Sequence, residues 1–456
     1  MIALAVAFAL VGMSLWLSYE PRTAIFSVCI VLVFQGILTR NLSANAGQLV
    51  QYLDEITLVA GLVRVAVLMA TGDRSWWRWR DWTWAGIFLV IGVLSSIANG
   101  GGLAATSLGL LQVGKLIGWL VVIRSIPWQR SDGRRVVVAF AVASVLLLIT
   151  GLFGFLNPDF VLAHVVPDNP DLISESIGRG EAQGTAPFLV PFVHPGFYGW
   201  AAAVTALAAI ALVVETRSRR AAAGVLAGVV GVVLSLRRKP LMGVPLALLF
   251  ALGRLTRRQR TWLVGVGLVG ALTIAVVARD QLDLIIEDTI DNYLDADRDD
   301  QARFVMAYVG ADLATSHFPL GVGLGRFGSA PSLTYYSEVY EQTGLANLPG
   351  FSSDPDEPHY MMDAYWQHLL GEVGWLGTLA MLVFLLQLLR HLRATHRKAT
   401  DVDERLIALF GFMVLAEALV ESLASPLFEA GLEPLILALP IGIALRLATP
   451  APVEDI

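Results

Sequence analysis

Several polar side chains in the second half of the chain have types and positions that suit chemistry on a charged substrate. They are His194, Arg237, Arg238, Arg303, His359, Asp363 and Glu372. Arginine is always charged and presents a planar fork of donors, so it suits the binding of an anionic group. A histidine or a carboxylate suits proton transfer. The set therefore predicts a site that offers fixed cations to an anionic group and an acid or base for proton transfer.

Most of these residues also have a purely structural explanation. His194, which precedes a proline, suits the entrance of a helix. Arg303 suits a solvated position that offsets acidic neighbours, and His359 suits a loop. Asp363 suits a helix N-terminus, where the dipole favours a carboxylate. Glu372 is harder to explain in this way, because a carboxylate at membrane depth is costly without a role.

The composition predicts that a membrane surrounds this site. Hydrophobic residues make up 56% of the chain and charged residues 15%, and the mean hydropathy is +0.65. Soluble proteins carry about 25% charged residues. The apolar runs are continuous, which favours helices over alternating strands. We therefore predict an all-α, polytopic transmembrane bundle of about 12 or 13 helices in one integral membrane domain, 1–456. The predicted spans are 2–19, 23–38, 49–70, 82–98, 103–123, 136–156, 191–214, 221–236, 240–253, 261–278, 361–389, 406–424 and 430–447.

Other features of the sequence bear on disulfide, metal and nucleotide sites. The single cysteine, Cys29, cannot form an intramolecular disulfide or a cysteine metal site. The segment 2–19 lacks a basic start and a cleavage site, so we expect a retained helix. No HExxH, CxxC or P-loop pattern is present, and nothing suggests nucleic-acid binding. The sequence therefore predicts neither a metal nor a nucleotide cofactor.

The loop charges predict which side of the membrane holds the site. Five short loops rich in basic residues fall on alternate turns of the topology and are expected in the cytoplasm. They contain Arg74, Arg78 and Arg80; Arg124, Arg130, Arg134 and Arg135; Arg217, Arg219 and Arg220; Arg254, Arg257, Arg258 and Arg260; and Arg390, Arg393, Arg397 and Lys398. The loop 157–190 and the large, initially acidic loop 279–360 are expected outside. Arg237, Arg238 and Lys239 break the rule on the outer side, which suggests that they are needed there.

The large loop 279–360 is too long for a plain connector. Its segments 282–294 and 303–313 suit short amphipathic helices. Gly321, Gly323 and Gly325 then predict turns. The run GVGLGRFG imitates a nucleotide-binding glycine loop but follows no predicted strand, so we reject that interpretation.

Four blocks of the second half resemble the bacterial O-antigen ligase and O-antigen polymerase superfamily. They are GRGEAQGTAPFLVPFVHPGFYG (178–199), LSLRR (234–238), RFVMAYVGADLATSHFPLGVGLGRF (303–327) and DAYWQHLLGEVGWLG (363–377). The order of the blocks also fits. The likeness points to Arg238 and Arg303, and it brings Arg179, in the first block, into the expected site.

Two departures from the family pattern bear on the mechanism. Gly196 stands where the family has asparagine after His-Pro, and Asp363-Ala364 stands where ligases often have His-Asn. His359 lies one helical turn earlier. The identity of the general base therefore stays open between His359 and Asp363.

The resemblance implies a GT-C-like membrane glycosyltransferase of the bacterial inner membrane with a periplasmic active face. Its donor is a glycan on undecaprenyl pyrophosphate, and its acceptor is a sugar hydroxyl on a glycan or lipid; no metal is required. Expected partners are membrane lipids and polysaccharide-assembly proteins. His359, Asp363, Arg303 and Arg238 are the implied catalytic residues. The expected substrate-binding residues are Arg237, His194, Glu372 and Arg179. The departure at Asp363-Ala364 favours a polymerase over the alternative, a ligase that transfers glycan to lipid A core.

A polysaccharide or lipid transporter is the competing class. Charged residues inside the apolar spans keep this alternative open, because a transporter needs a polar path through the membrane. They are Asp54, Glu55, Arg64, Lys115, Glu417 and Glu421. The expected concentration of polar groups on one side argues against this class.

Overall fold

The structure is a computed structural model. It describes residues 2–166, 188–252, 257, 261, 265, 302–348, 350–354, 361–362, 364–429 and 431–448, and these residues are helical with turns and no strand. The helices are α1 Ile2–Tyr19, α2 Pro21–Val33, α3 Gln35–Asn41, α4 Ala44–Gln51, α5 Leu53–Ala70, α6 Trp79–Ala98, α7 Leu103–Val113, α8 Lys115–Ser125, α9 Arg130–Leu156, α10 Pro158–His164, α11 Pro195–Thr216, α12 Ala221–Leu234, α13 Arg238–Leu252, α14 Ala302–Ser316, α15 Ala330–Thr334, α16 Glu338–Gln342, α17 Tyr365–Lys398, α18 Val402–Glu421 and α19 Glu433–Leu447. The all-α class is thus confirmed.

Among the described residues, five helices are long and apolar enough to cross a membrane: α6, α9, α11, α17 and α18. The number rises to seven if the bent pairs α2–α3 and α7–α8 each form one span. This supports a multi-pass membrane protein but does not reach the predicted 12 or 13 spans. Other apolar runs form shorter helices such as α12, or carry charges as α5 does with Asp54, Glu55 and Arg64. In α1 the first side chains lie outside the described part of the chain. Most of the predicted span 261–278 lies outside the described residues.

The core is built around α11 and α18. Both helices are buried along almost their whole length. By contrast, α9 exposes large apolar side chains such as Leu146 and Ile149, which are 56% and 58% exposed. A helix that is apolar on its outer face needs a hydrocarbon surrounding, whereas a central helix is covered by its neighbours. The arrangement is that of a bundle with lipid-facing helices at its periphery.

The bundle has two chemically different ends. The helix α11 has 22 residues, so its ends are about 33 Å apart. At its C-terminal end, Glu215 contacts His396 at 2.8 Å and Arg405 at 3.1 Å. We call the end of the bundle at the C-terminus of α11 the basic end, because Arg124 also lies there. At the N-terminal end of α11 lies His194, near the starts of α13 and α17, and we call this the histidine end.

Four of the five basic loops that the sequence assigns to one side of the membrane lie at the basic end, and most of the fifth, 254–260, lies outside the described residues. Arg124 pairs with Asp81 at 2.7 Å, and Arg130 pairs with Glu404 at 2.7 Å. Arg237 instead lies at the histidine end. Which end faces the cytoplasm stays a prediction.

Candidate functional site at the histidine end

His194 and Arg237 lie together, although they are 43 residues apart in sequence. Nδ1 of His194 accepts a hydrogen bond from the backbone N–H of Gly196 at 2.9 Å, so His194 caps α11. This contact leaves Nε2 as the protonated nitrogen of a neutral ring. Nη2 of Arg237 lies 3.3 Å from Nε2. An anionic oxygen beside this pair would accept a hydrogen bond from each of the two nitrogens.

An apolar pocket adjoins this pair. Its volume is about 90 Å³, and it lies between the bend of α2–α3 and the starts of α11 and α19. Phe192 and Val193, which line the pocket, directly precede His194, and the ring of Phe197 lies 5.9 Å from the imidazole. Glu433, buried at the start of α19, also contributes to the wall. The arrangement places a cationic group and an imidazole beside a small, mostly apolar hollow.

Two hydrogen bonds connect the region of His194 and Arg237 to the start of α17. Nζ of Lys239 donates to the backbone carbonyl of Ala424, just after α18. The indole N–H of Trp366 donates to Oγ of Ser422 at 2.9 Å. The starts of α13 and α17 are thus both fixed to the segment that follows α18.

A buried histidine lies one turn into α17. Nε2 of His368 contacts a carboxylate oxygen of Glu429, and Nδ1 lies 3.8 Å from Oε2 of Glu372. All three side chains are almost completely buried. Sequence reasoning missed His368 and Glu429. The spacing of His368 and Glu372 by four residues was a usable signal, because such residues share a helix face.

Glu372 fixes the glycine-rich segment 321–328 to α17. Its Oε1 accepts hydrogen bonds from the backbone N–H groups of Arg326 at 3.0 Å and Phe327 at 3.1 Å, and from Oγ of Ser329 at 2.6 Å. The structure therefore gives Glu372 a clear anchoring function. The substrate-binding role expected from the sequence stays a prediction.

A break in α17 makes this attachment possible. Gly374 has φ 66° and ψ −172° inside the helix, a conformation open essentially only to glycine. The break leaves the carbonyls of Gly371 and Glu372 available to the backbone N–H groups of Val322 at 2.8 Å and Gly323 at 3.0 Å. The presence of Glu372 and Gly374 two residues apart in the block 363–377 thus has a local physical explanation.

The glycine turns predicted in this segment are confirmed. Gly321, Gly323 and Gly325 all have positive φ. The next turns are held by Tyr340, whose hydroxyl accepts from the backbone N–H of Gly328 at 2.9 Å and lies 2.7 Å from Oγ of Ser332. Burial raises the pKa of the Tyr340 phenol above its usual range, so it stays protonated and keeps these contacts.

Arg303 lies near this network through α14, which packs against α17. Arg303 is half-buried in the first turn of α14. One turn later, Met306 lies beside Gly328 and His368, since a Cβ added at Gly328 would meet both side chains. The structure thus brings Arg303 to the histidine end.

Several predicted residues cannot be placed. Arg179, His359 and Asp363 lie outside the described residues, as does the predicted amphipathic segment 282–294. The backbone of Arg238 opens α13, but its side chain is outside the described part. The candidate base and one candidate phosphate ligand therefore stay predictions.

Five of the six charged residues that kept the transporter alternative open fall into two groups, and the sixth, Arg64, donates a hydrogen bond to Oγ of Ser125 at 2.9 Å. Nζ of Lys115 contacts carboxylate oxygens of Asp54 and Glu55, each at 2.6 Å. Glu417 and Glu421 are buried in α18, and neither carboxylate oxygen of Glu417 has a hydrogen-bond partner in the described part of the chain. Lys115 thus engages both carboxylates of the first group, whereas the second group consists of two carboxyl groups that lie near each other.

The fold and this site together describe a multi-pass helical membrane protein with cationic and carboxylate groups gathered at one end of its bundle. Compared with protein-family models and with curated protein sequences, the chain matches none of them.

Proposed function

We propose that the protein is a membrane-embedded glycosyltransferase that moves a glycan from a polyprenyl pyrophosphate to a sugar hydroxyl, and that it acts as a polysaccharide polymerase. The observation that carries this proposal is the His194–Arg237 pair next to an apolar pocket at one end of the bundle. A polyprenyl pyrophosphate has both an anionic head and an apolar tail. The resemblance of four sequence blocks to the O-antigen ligase and polymerase superfamily supports the same substrate class.

In this reaction the bond between the anomeric carbon and the pyrophosphate oxygen breaks, and a bond to the acceptor oxygen forms. The acceptor proton passes to His359 or Asp363, and the lipid pyrophosphate leaves with the bonding pair. Arg238, Arg303 and Arg237 hold the leaving group as its charge develops, and Arg179 assists in donor binding. Fixed donors aimed at developing charge are among the largest contributions to catalysis.

Conservative replacement of the arginines tests this assignment. Lysine keeps the charge but loses the planar fork that matches phosphate oxygens. We expect Arg303→Lys, and separately Arg238→Lys and Arg237→Lys, to lower glycan transfer about a hundredfold, because one lost transition-state contact costs about 3 kcal/mol. The measurement is transfer from a lipid-linked donor by purified protein with normal thermal unfolding.

Arg219→Lys is the matched control, since Arg219 is an exposed arginine at the basic end of the bundle. It should transfer glycan at the normal rate. Near-normal transfer by one of the three site variants would remove that residue from the pyrophosphate site.

The lipid-linked intermediates that accumulate without the protein distinguish polymerase from ligase. Because a polymerase joins repeat units, its loss should leave single units on the carrier lipid. A ligase acts on the finished chain, so accumulation of full-length lipid-linked polymer would contradict the polymerase assignment and support the ligase. Analysis of the extracted carrier lipids by gel and mass spectrometry gives this result.

A transporter is the second candidate, and the buried carboxylates Glu417 and Glu421 favour it. Paired buried carboxyl groups suit proton binding within a membrane. Purified protein in vesicles without an ion gradient distinguishes the two classes. Formation of a new glycosidic bond supports the transferase, and movement of intact lipid-linked glycan without bond formation supports the transporter.

A further inference from the structure

The start of α6 and the residues just before it carry several tryptophans and arginines at the basic end of the bundle. Trp77 stacks on Trp82 with ring centroids 5.4 Å apart and the planes 10° from parallel, and the ring of Trp79 meets Trp77 edge-on, also at 5.4 Å. Trp79 is nevertheless 76% exposed and Trp84 39% exposed. Arg78 and Arg80, which flank Trp79, are also exposed.

The positive charge of the exposed arginines around Trp79 is not neutralised by the neighbouring carboxylates. Asp81 is occupied by the buried Arg124 at 2.7 Å, and that guanidinium also lies 5.7 Å from the ring of Trp82. Asp73 accepts hydrogen bonds from Ser75. The nearest acidic groups on this segment are thus engaged within the protein.

A third exposed arginine comes from α17. Nε2 of Gln387 donates to the backbone carbonyl of Arg80 at 2.8 Å, and His391 lies 3.9 Å from Asp81. Arg390, between these two contacts, is exposed. Within the described residues, no carboxylate makes an ion pair with Arg78, Arg80 or Arg390. The contact between α17 and the backbone of Arg80 thus brings Arg390 near Arg78 and Arg80.

We infer that Arg78, Trp79, Arg80, Trp84 and Arg390 form a site for the headgroup of an anionic phospholipid, and we call it the tryptophan–arginine patch. Tryptophan rings are favoured at the headgroup depth of a membrane. Arginine at that depth binds phosphodiester oxygens through its planar fork. The exposed rings contact the acyl–glycerol region while the guanidinium groups contact phosphate. This inference concerns the basic end and does not depend on the proposed transferase function.

Quenching of tryptophan fluorescence by brominated lipid tests the inference. The full-length protein is placed in phosphatidylcholine nanodiscs that contain a small fraction of brominated phosphatidylglycerol or, in parallel, brominated phosphatidylcholine. In the unchanged protein the anionic lipid should quench more strongly. The Arg78→Gln/Arg80→Gln variant should lose about thirtyfold of the local preference for the anionic lipid, because each arginine near an anionic surface contributes about 1 kcal/mol.

The double variant Arg219→Gln/Arg220→Gln is the matched control, since it removes two exposed arginines from the same end without neighbouring tryptophan. It should keep the preference. Equal quenching by the two lipids in the unchanged protein, or an unaltered preference in the Arg78/Arg80 variant, would overturn the site. An equal loss in both variants would overturn it too, because it would reveal only general attraction between a basic surface and anionic lipid. Thermal unfolding of both variants checks that the fold is intact.

Discussion

Replacing Gly374 by alanine is expected to destabilise the protein by about 3 kcal/mol or more. The backbone at this position has φ 66° and ψ −172°, and such conformations cost other residues about 1–3 kcal/mol. An added Cβ would also lie 2.8 Å from the backbone nitrogen of Gly321 and 2.9 Å from the carbonyl oxygen of Pro319. Both neighbours are backbone atoms and cannot rotate away. The midpoint of thermal unfolding in detergent measures the effect.

The strain has a local consequence that a second measurement can detect. If the alanine variant restores a continuous helix, the carbonyls of Gly371 and Glu372 return to helical bonds. The amides of Val322 and Gly323 then lose their acceptors, and their hydrogen exchange should become faster.

Gly86→Ala is the matched control for this variant. Gly86 lies inside α6, and an added Cβ there has no neighbour within 4 Å. Alanine should stabilise an open helical position by about 0.5–1 kcal/mol, so the two substitutions have opposite expected signs. A Gly374→Ala protein that unfolds at the same temperature as the original would show that the helix break is not required.

Hydrophobic runs located the five helices that are long and apolar enough to cross a membrane, because a helix must be mostly apolar to cross the hydrocarbon. The predicted span 136–156 corresponds to α9, Arg130–Leu156. The helix begins six residues earlier than predicted because Gln129 and Asp132 form a capping box at its polar start. Hydropathy alone cannot detect this extension, since charged residues in the first turn do not look like membrane sequence.

The hydrophobic runs did not predict where a helix bends within an apolar span. The predicted span 103–123 is two helices, α7 and α8, bent by 55°. Gly114 lies at the junction. Whether a glycine in an apolar run breaks the helix depends on the packing of neighbours, which hydropathy does not contain.

The site was predictable only in part. Unusual polar residues identified His194 and Arg237, but their direct contact depends on the packing of α11 against α13. His368 and Glu429 were missed because they are 61 residues apart, and Glu429 lies in a turn without a periodic pattern. The glycines predicted the turns of the segment 321–328. The attachment of this segment to α17 was not predictable, because it depends on the break in the helix at Gly374.

Removal of the Glu372 side chain is expected to cost about 4 kcal/mol of stability. Its Oε1 accepts from Arg326, Phe327 and Ser329 in a fully buried position. In Glu372→Ala these donors lose their acceptor, and each unpaired buried group costs about 1–3 kcal/mol, although the costs do not add fully. The unfolding midpoint should fall strongly, while Glu341→Ala, at an exposed position of α16, should change stability by less than about 0.5 kcal/mol.

Glu372→Gln separates the anchoring role from the predicted substrate contact. Glutamine keeps one acceptor oxygen of the same shape, so it should restore most of the stability that alanine loses. If Glu372 acts only as an anchor, the glutamine variant should also transfer glycan at a rate close to normal. A stable glutamine protein with lost transfer would instead support the substrate-binding role. An alanine variant as stable as Glu341→Ala would contradict the anchor, because the glycine-rich segment would then be held to α17 without this carboxyl group.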